Sequence, residues 1–112
     1  MSSVLIVEDN QSLARSLLAF LRGRGLEVQH VDSVAAARQR LASESFDAFL
    51  LDVGLPDGSG LDLLERTGTQ RAVVMTATPD LAAFAHSGVT HFVPKPFDLE
   101  HLFQALAKIV DA

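Results

Sequence analysis

Four short, unbroken apolar runs punctuate the chain: Val4-Leu5-Ile6-Val7, Ala48-Phe49-Leu50-Leu51, Ala72-Val73-Val74-Met75 and the brief Phe92-Val93. Runs of this length bounded by polar residues predict strands covered on both faces, as in a parallel sheet. A fifth segment, residues 27–31, sets Val28 and Val31 against polar Gln29 and His30, the pattern of an edge strand. Between the runs the apolar period lengthens. Leu13, Leu17, Leu18 and Leu21 form one helical stripe ahead of Gly23 and Gly25, and Val34, Ala37 and Leu41 form a second behind a Ser33 or Asp32 cap. Leu61, Leu63 and Leu64 fit a short third helix stopping near Gly68. Thr78-Pro79 opens a fourth that Gly88 would close, and a last helix starts at Asp98 with Leu102, Leu106, Ile109 and Val110 on one side.

Strands alternating with helices predict an α/β, (βα)5 doubly wound parallel sheet with helices on both faces. The 112 residues suffice for one domain, 1–112, with no repeat or linker. With 48% hydrophobic residues the chain is too apolar to be disordered.

Charge narrows the partners. Nine Lys and Arg against fourteen Asp and Glu give a net charge of −5, and the basic residues are scattered. Direct binding to nucleic acid or to an anionic membrane is therefore not expected. The absence of cysteine excludes a disulfide scaffold, thiol chemistry and sulfur-based zinc sites. The first residues resemble neither a signal peptide nor a membrane span, so a cytoplasmic location is expected.

In open α/β sheets, sites form outside the carboxyl ends of the strands. The first run ends in Glu8-Asp9, the third strand in Asp52, the fourth in Thr76, and the fifth leads to Lys95. Parallel neighbours would gather three carboxylates, a hydroxyl and an ammonium in one crevice. Oxygen ligands suit a hard ion such as Mg²⁺. A carboxylate beside it can attack phosphorus to form an acyl phosphate, with Lys95 and Thr76 holding phosphoryl oxygens. Singly, each residue has a structural role open to it: acids and Asn10 suit a helix start, Thr76 a strand end, Lys95 a solvated loop. Their joint placement at strand ends favours the phosphoryl-acceptor site.

These residues resemble the receiver domain of two-component response regulators, through VLIVEDN (4–10), LLDVGLPDGSGLDLL (50–64), MTA (75–77) and VPKPF (93–97). The resemblance spans Val4 to about Val110 and implies a flavodoxin-like strand order of 2-1-3-4-5. It implies that Asp52 accepts a phosphoryl group from a phosphohistidine on a histidine kinase or histidine phosphotransfer domain. It also implies that Glu8, Asp9, Asp52 and the Gly54 carbonyl hold Mg²⁺, and that a conformational switch controls an output domain or protein partner. Thr76 and Phe92 resemble the family's switch pair, Lys95 its phosphate-binding lysine, and Ala77 the small residue that keeps the site open. Lys95–Pro96 would be a cis peptide bond. Phe92 would turn inward on phosphorylation; a permanently buried core phenylalanine is the competing expectation. Neither Gly54 nor Thr78 can position water as a carboxylate or amide would, so rapid loss of the phosphoryl group is not expected.

Spacing departs from the family. Asp52 and Thr76 lie 24 residues apart, and Thr76 and Lys95 19. Both intervals are shorter than usual by about one helical turn, which predicts shortened third and fourth helices (residues 61–66 and 78–87). Gly58-Ser59-Gly60 lacks the P-loop frame and reads as helix entry. His30, His86, His91 and His101 show no metal-ligand spacing and are expected at surface or edge positions. The exposed part of the helix carrying Leu13, Ala14 and Leu17 could dock a helical partner. Arg15, Arg22 and Arg24 on that helix could steer an acidic kinase surface or form a solvated face.

The leading function is a switch module that catalyses its own phosphorylation and slow dephosphorylation but is not an enzyme for external substrates. A pseudo-receiver acting only in protein interaction and a small aspartyl-phosphate phosphohydrolase are the alternatives. The phosphohydrolase would want an acid where Gly54 stands. The chain's end after the last predicted helix suits a single-domain regulator or an excised domain equally.

Overall fold

The apolar runs become strands because helices cover both of their faces. In the computed structural model, which describes residues 2–77, 88 and 91–110, one parallel sheet is formed by β1 (Ser3–Val7), β2 (Glu27–Val31), β3 (Ala48–Asp52), β4 (Ala72–Thr76) and β5 (Phe92–Pro94). The strand order is β2-β1-β3-β4-β5, with β2 on an edge as its alternation predicts. Helix α1 (Gln11–Gly23) links β1 to β2, and α2 (Val34–Ser43) links β2 to β3. A 3₁₀ turn, Gly60–Leu63, runs into α3 (Leu64–Thr67), and Leu99–Val110 forms the C-terminal helix.

Side chains alternate across the sheet with a period of two. Val4, Ile6, Leu50 and Met75 face α1 and the C-terminal helix, where they meet Leu17, Leu21, Leu102 and Leu106. Leu5, Val7, Phe49 and Leu51 face the other way, onto Val34 and Ala37 of α2 and onto Leu63. All four facing leucines of the first layer are fully buried, each contributing about 2 kcal/mol of apolar transfer.

Local chemistry sets the helix ends. The Asn10 side chain caps α1 by accepting from the Leu13 N–H. Ser33, not Asp32, caps α2 by accepting from the Ala36 N–H. The third helix is short, as its spacing predicts: one 3₁₀ turn and one α turn. Gly68 ends it at φ +75°, a left-handed conformation that costs glycine little. The fourth predicted helix (78–87), with Thr78, lies outside the described residues.

Arg22 and Arg24, which could steer a kinase surface or form a solvated face, are exposed and also hold contacts within the fold. Arg22 donates to the Val28 carbonyl at 3.0 Å, tying α1 to the edge strand. Arg24 pairs with Glu100 and lies over the rings of Phe20 and Phe103, 4.7 and 5.0 Å from their centroids. Two rings beneath the guanidinium favour this placement, because aromatic faces attract cations. Arg15 remains exposed.

Register brings the strand ends together. Val7 lies beside Val31 and Leu51, Asp52 beside Met75, and Thr76 beside Pro94. The residues that follow or end β1, β3, β4 and β5 therefore open on one edge of the sheet.

Candidate functional site

Glu8 continues β1 by one residue, since its N–H donates to the Val31 carbonyl at 3.1 Å. This places its side chain in the interior, where none of it reaches solvent. One carboxylate oxygen accepts from the Asn10 N–H at 3.1 Å and the other from Lys95 Nζ at 2.8 Å. Asp52, the last residue of β3, is also buried; its Oδ1 accepts from the Gly54 N–H and from Lys95 Nζ, both at 3.2 Å. Asp9 stands exposed at the rim.

Carboxylate oxygens of Glu8, Asp9 and Asp52 lie within 4.8 Å of one another. Thr76 ends β4 and is buried, and its carbonyl accepts from the Lys95 N–H at 2.6 Å. The Lys95–Pro96 bond is cis, as the resemblance implies. Asn10, Gly54, Thr76 and Ala77 join the four charged residues Glu8, Asp9, Asp52 and Lys95 in lining a cleft of about 300 Å³. The expected site residues thus converge, apart from Thr78, which falls outside the described residues, Pro96, which lines the adjoining groove, and Phe92.

Electrostatics follow from this crowding. Burial raises the Glu8 pKa; hydrogen bonds from Lys95 and Asn10 work against that rise, while the Asp52 charge adds to it. Burial would lower the Lys95 pKa, but its hydrogen bond to Glu8 and the charges of Asp52 and Glu8 outweigh burial and raise it. Three carboxylates facing one ammonium leave surplus negative charge. An all-oxygen donor set of this kind fits a hard divalent cation.

Phe92 stands apart from the cleft residues, at the start of edge strand β5. Val93 is buried while Phe92 is 38% exposed, so the permanently buried alternative is incorrect. The strand alternates, and the face carrying Phe92 is not fully covered. Its exposed position is the one from which an inward turn is possible.

Three further residues shape the site without a strong signal in the sequence. His30 was expected at a surface or edge position and does lie on edge strand β2, yet it is half-buried, with Nε2 2.7 Å from the Glu8 carbonyl. Gly60 sits so close to β3 that a Cβ would lie 2.5 Å from the Asp52 carbonyl oxygen. Asp57 accepts from the Val34 and Ala35 N–H groups at 2.8 and 3.0 Å, reaching across to α2. Pro56-Asp57-Gly58 signals a turn, but nothing local says which amides the acid meets.

A larger groove of about 480 Å³ adjoins the cleft, between α1 and the turn after β5, lined by Leu13, Ser16, Pro96, Phe97 and Leu99 among others. Leu13 is only partly buried, while Ala14 and Leu17 are buried in the core. No described helix is long and apolar enough to cross a membrane.

A family model described as the response regulator receiver domain matches residues 4–107, and the chain belongs to that family. It is 36% identical over 106 residues to the response regulator protein PmrA of Pseudomonas aeruginosa, covering 88% of this chain and 48% of that protein. The chain spans about half the length of the curated relatives it matches. A CheY-like receiver domain protein from Methanospirillum hungatei has the same fold, with a TM-score of 0.89 at 24% identity over 99% of this chain and 94% of that one. A response regulator from Burkholderia pseudomallei, solved with a phosphorylated aspartic acid, calcium ion and citrate, gives a TM-score of 0.83 at 25% identity, covering 95% of this chain and 66% of that one.

Proposed function

We propose that this receiver domain accepts a phosphoryl group on Asp52 from a phosphohistidine of a histidine kinase or histidine phosphotransfer domain. The observation that carries the reading is the Lys95 ammonium, bonded at once to the buried Glu8 and Asp52 beside the exposed Asp9. A chain used only as an interaction module has no need of this costly buried set, which argues against the pseudo-receiver.

In the transfer, an Asp52 carboxylate oxygen attacks phosphorus as the P–N bond breaks, and the bonding pair leaves on the imidazole nitrogen of a phosphohistidine whose other ring nitrogen carries a proton. The products are an aspartyl phosphate and a neutral histidine. Asp9, Asp52 and the Gly54 carbonyl, with Glu8 beside them, would hold Mg²⁺, which would supply positive charge to the phosphoryl oxygens. Lys95 donates to one of those oxygens in place of its present bond to Asp52, and the Thr76 hydroxyl donates to another. The calcium ion and phosphorylated aspartic acid in the Burkholderia pseudomallei protein support a divalent ion and an acceptor aspartate in this family.

Phe92 then turns inward. Most of its surface is already covered, so the transfer gained is about 1 kcal/mol, a third of full burial. The groove beside α1 suits the phosphodonor, whose apolar side would meet Leu13, Phe97 and Leu99. The switch acts on an output domain or protein partner, in the cytoplasm, without direct contact to nucleic acid or membrane. No external substrate is turned over, and Gly54 stands where a phosphohydrolase would want its second acid. Self-dephosphorylation is slow for want of a group that positions water.

Incubation with acetyl phosphate and Mg²⁺, followed by weighing the intact chain, tests this. One added phosphoryl group, absent in Asp52→Asn, is the expected result. No modification and no beryllofluoride binding would return the chain to the pseudo-receiver class. Continuous phosphate release from a substrate panel would make it a hydrolase.

A further inference from the structure

The loop after the acceptor strand is held from outside. Val53 keeps the sheet pairing through its N–H to the Met75 carbonyl at 3.1 Å, and the Gly54 N–H turns back onto Asp52. Leu55 and Gly58 then close a turn with N–H to carbonyl bonds of 3.1 and 3.4 Å, and Leu55 is buried beside Val34. At the tip of this turn the two oxygens of Asp57 accept from the first two amides of α2, Val34 and Ala35. Ser33 takes the third, Ala36. The start of α2 is therefore capped in two parts, one local and one supplied from 22 or 23 residues downstream. Helix amides with no partner inside the helix favour an anionic acceptor, so the clasp holds in its ionised form. Consistently, the Ala35 and Val34 amides keep the Asp57 carboxyl below the usual carboxylate range.

The geometry points to Asp57 as a positioning residue for the metal-binding loop, holding the Gly54 carbonyl in place by fastening the turn to α2. This inference rests on the reading of Asp9, Asp52 and Gly54 as the Mg²⁺ site. Asp57 lies three residues beyond Gly54 and five beyond Asp52. Its acceptor bonds join that short loop to a helix that the core fixes through Val34 and Ala37. A metal ligand supplied by a backbone carbonyl has no side chain to swing into place. Its aim depends wholly on how the loop is tethered.

The test compares Asp57→Ala, Asp57→Asn and Ser33→Ala in the full chain. Mg²⁺ affinity is read by calorimetric titration, and phosphorylation by acetyl phosphate is read at saturating Mg²⁺. Ser33→Ala removes the other half of the cap without touching the loop, so it measures the cost of fraying α2 alone. Asp57→Ala is expected to weaken Mg²⁺ binding about tenfold, the low end for groups that orient a metal ligand. Its phosphorylation rate at saturating Mg²⁺ should stay near that of the parent. Asp57→Asn, which keeps an acceptor oxygen, should fall between, and Ser33→Ala should bind Mg²⁺ as the parent does.

Unchanged Mg²⁺ affinity in Asp57→Ala overturns the inference, and so does an equal loss in Ser33→Ala. Should Asp57→Ala fail to fold, Asp57→Asn decides by the same criterion. A parent chain that binds no Mg²⁺ at all overturns the reading of the site, and this inference with it. A parent that binds Mg²⁺ beside an unaffected Asp57 variant overturns the inference alone.

Discussion

Lys95 Nζ donates to Glu8 Oε2 at 2.8 Å, joining the loop after β5 to the end of β1 across 87 residues of chain. The same ammonium reaches Asp52 on β3, and the Lys95 backbone N–H bonds the end of β4 through the Thr76 carbonyl. One residue thus ties together four strand ends. It also supplies the ion-pair partner of a glutamate that no solvent reaches.

Replacing Lys95 with Met should therefore cost stability as well as phosphorylation. Removing one partner of a buried ion pair leaves an uncompensated charge. The expected loss is about 2 kcal/mol, below the value for a fully enclosed pair because the Lys95 side chain is 20% exposed. Urea denaturation without metal at neutral pH measures it. The deficit should shrink on acidification. Glu8 has a pKa raised above 4.5, so its ionised form costs stability at neutral pH, and that cost disappears as pH falls through the raised value. Lys95 has the complementary behaviour: its raised pKa contributes stability present below 10.5 and lost as pH climbs through the folded value. Lys95→Met should lack that alkaline loss.

Mg²⁺ should stabilise the folded chain, because the folded state gathers three carboxylates that the unfolded chain scatters. At ten times its dissociation constant the gain is about 1.4 kcal/mol. Thermal melts with and without Mg²⁺ should show it, and Asp9→Asn should remove most of it. Asp9 is exposed and is not placed in the core, so this variant should fold normally in the absence of metal.

Gly60→Ala should damage the site from behind. The added Cβ would stand 2.5 Å from the Asp52 carbonyl and 2.8 Å from Leu51 Cβ, and the strand backbone cannot yield without moving Asp52. A loss of about 2 kcal/mol is expected, typical of overpacking, together with slower phosphorylation by acetyl phosphate. Gly54→Ala is the matched comparison. Its Cβ would meet nothing within 4 Å, so its stability in urea should change by less than about 0.5 kcal/mol.

Strands and site were legible in the sequence for the same reason. A strand covered on both faces must be apolar at every position, so the first polar residue after each run marks where the sheet emerges at its carboxyl edge. Glu8, Asp52 and Thr76 stand at those points, and parallel register did the rest. The short third helix was legible because Leu61, Leu63 and Leu64 are followed so soon by Gly68. Asp57, His30 and Gly60 were not legible in their roles. Each acts through a backbone group, the α2 amides and the Glu8 carbonyl more than twenty residues away and the Asp52 carbonyl eight residues before Gly60. Backbone partners have no side-chain identity, and so they leave no pattern to read. The two engaged arginines show the converse. A helix-face charge reads as solvated, and Arg24 is exposed, yet it also lies over Phe20 and Phe103, a contact that no sequence pattern marks.

Asp57 should give the α2 junction a pH signature. Its pKa is held below the ordinary 3.8, chiefly by the Ala35 and Val34 amides. A lowered folded pKa contributes stability that is present above the unfolded value and lost as pH falls through the folded one. Asp57→Ala should have a lower urea midpoint than the parent at neutral pH. The two should converge as pH drops below 3.8, where the parent loses the ionised clasp. Parallel lines across that window would show that the carboxylate contributes nothing through its charge.

Phe92→Ala should separate the two states of the switch. The ring is 38% exposed at an edge strand, so truncation there should cost far less than at a core position. If loading the acceptor draws the ring inward, the variant forfeits a further transfer of about 1 kcal/mol in that state alone. Urea denaturation with Mg²⁺, with and without beryllofluoride, reads both values on the same pair of proteins. The gap between parent and variant should widen by that amount when beryllofluoride is present. An unchanged gap would mean that Phe92 keeps its position through the transition, and that the signal leaves by another element. The sign is informative as well. A narrower gap would mean that the ring is more exposed in the loaded state, with Phe92 offered to a partner instead of withdrawn from one.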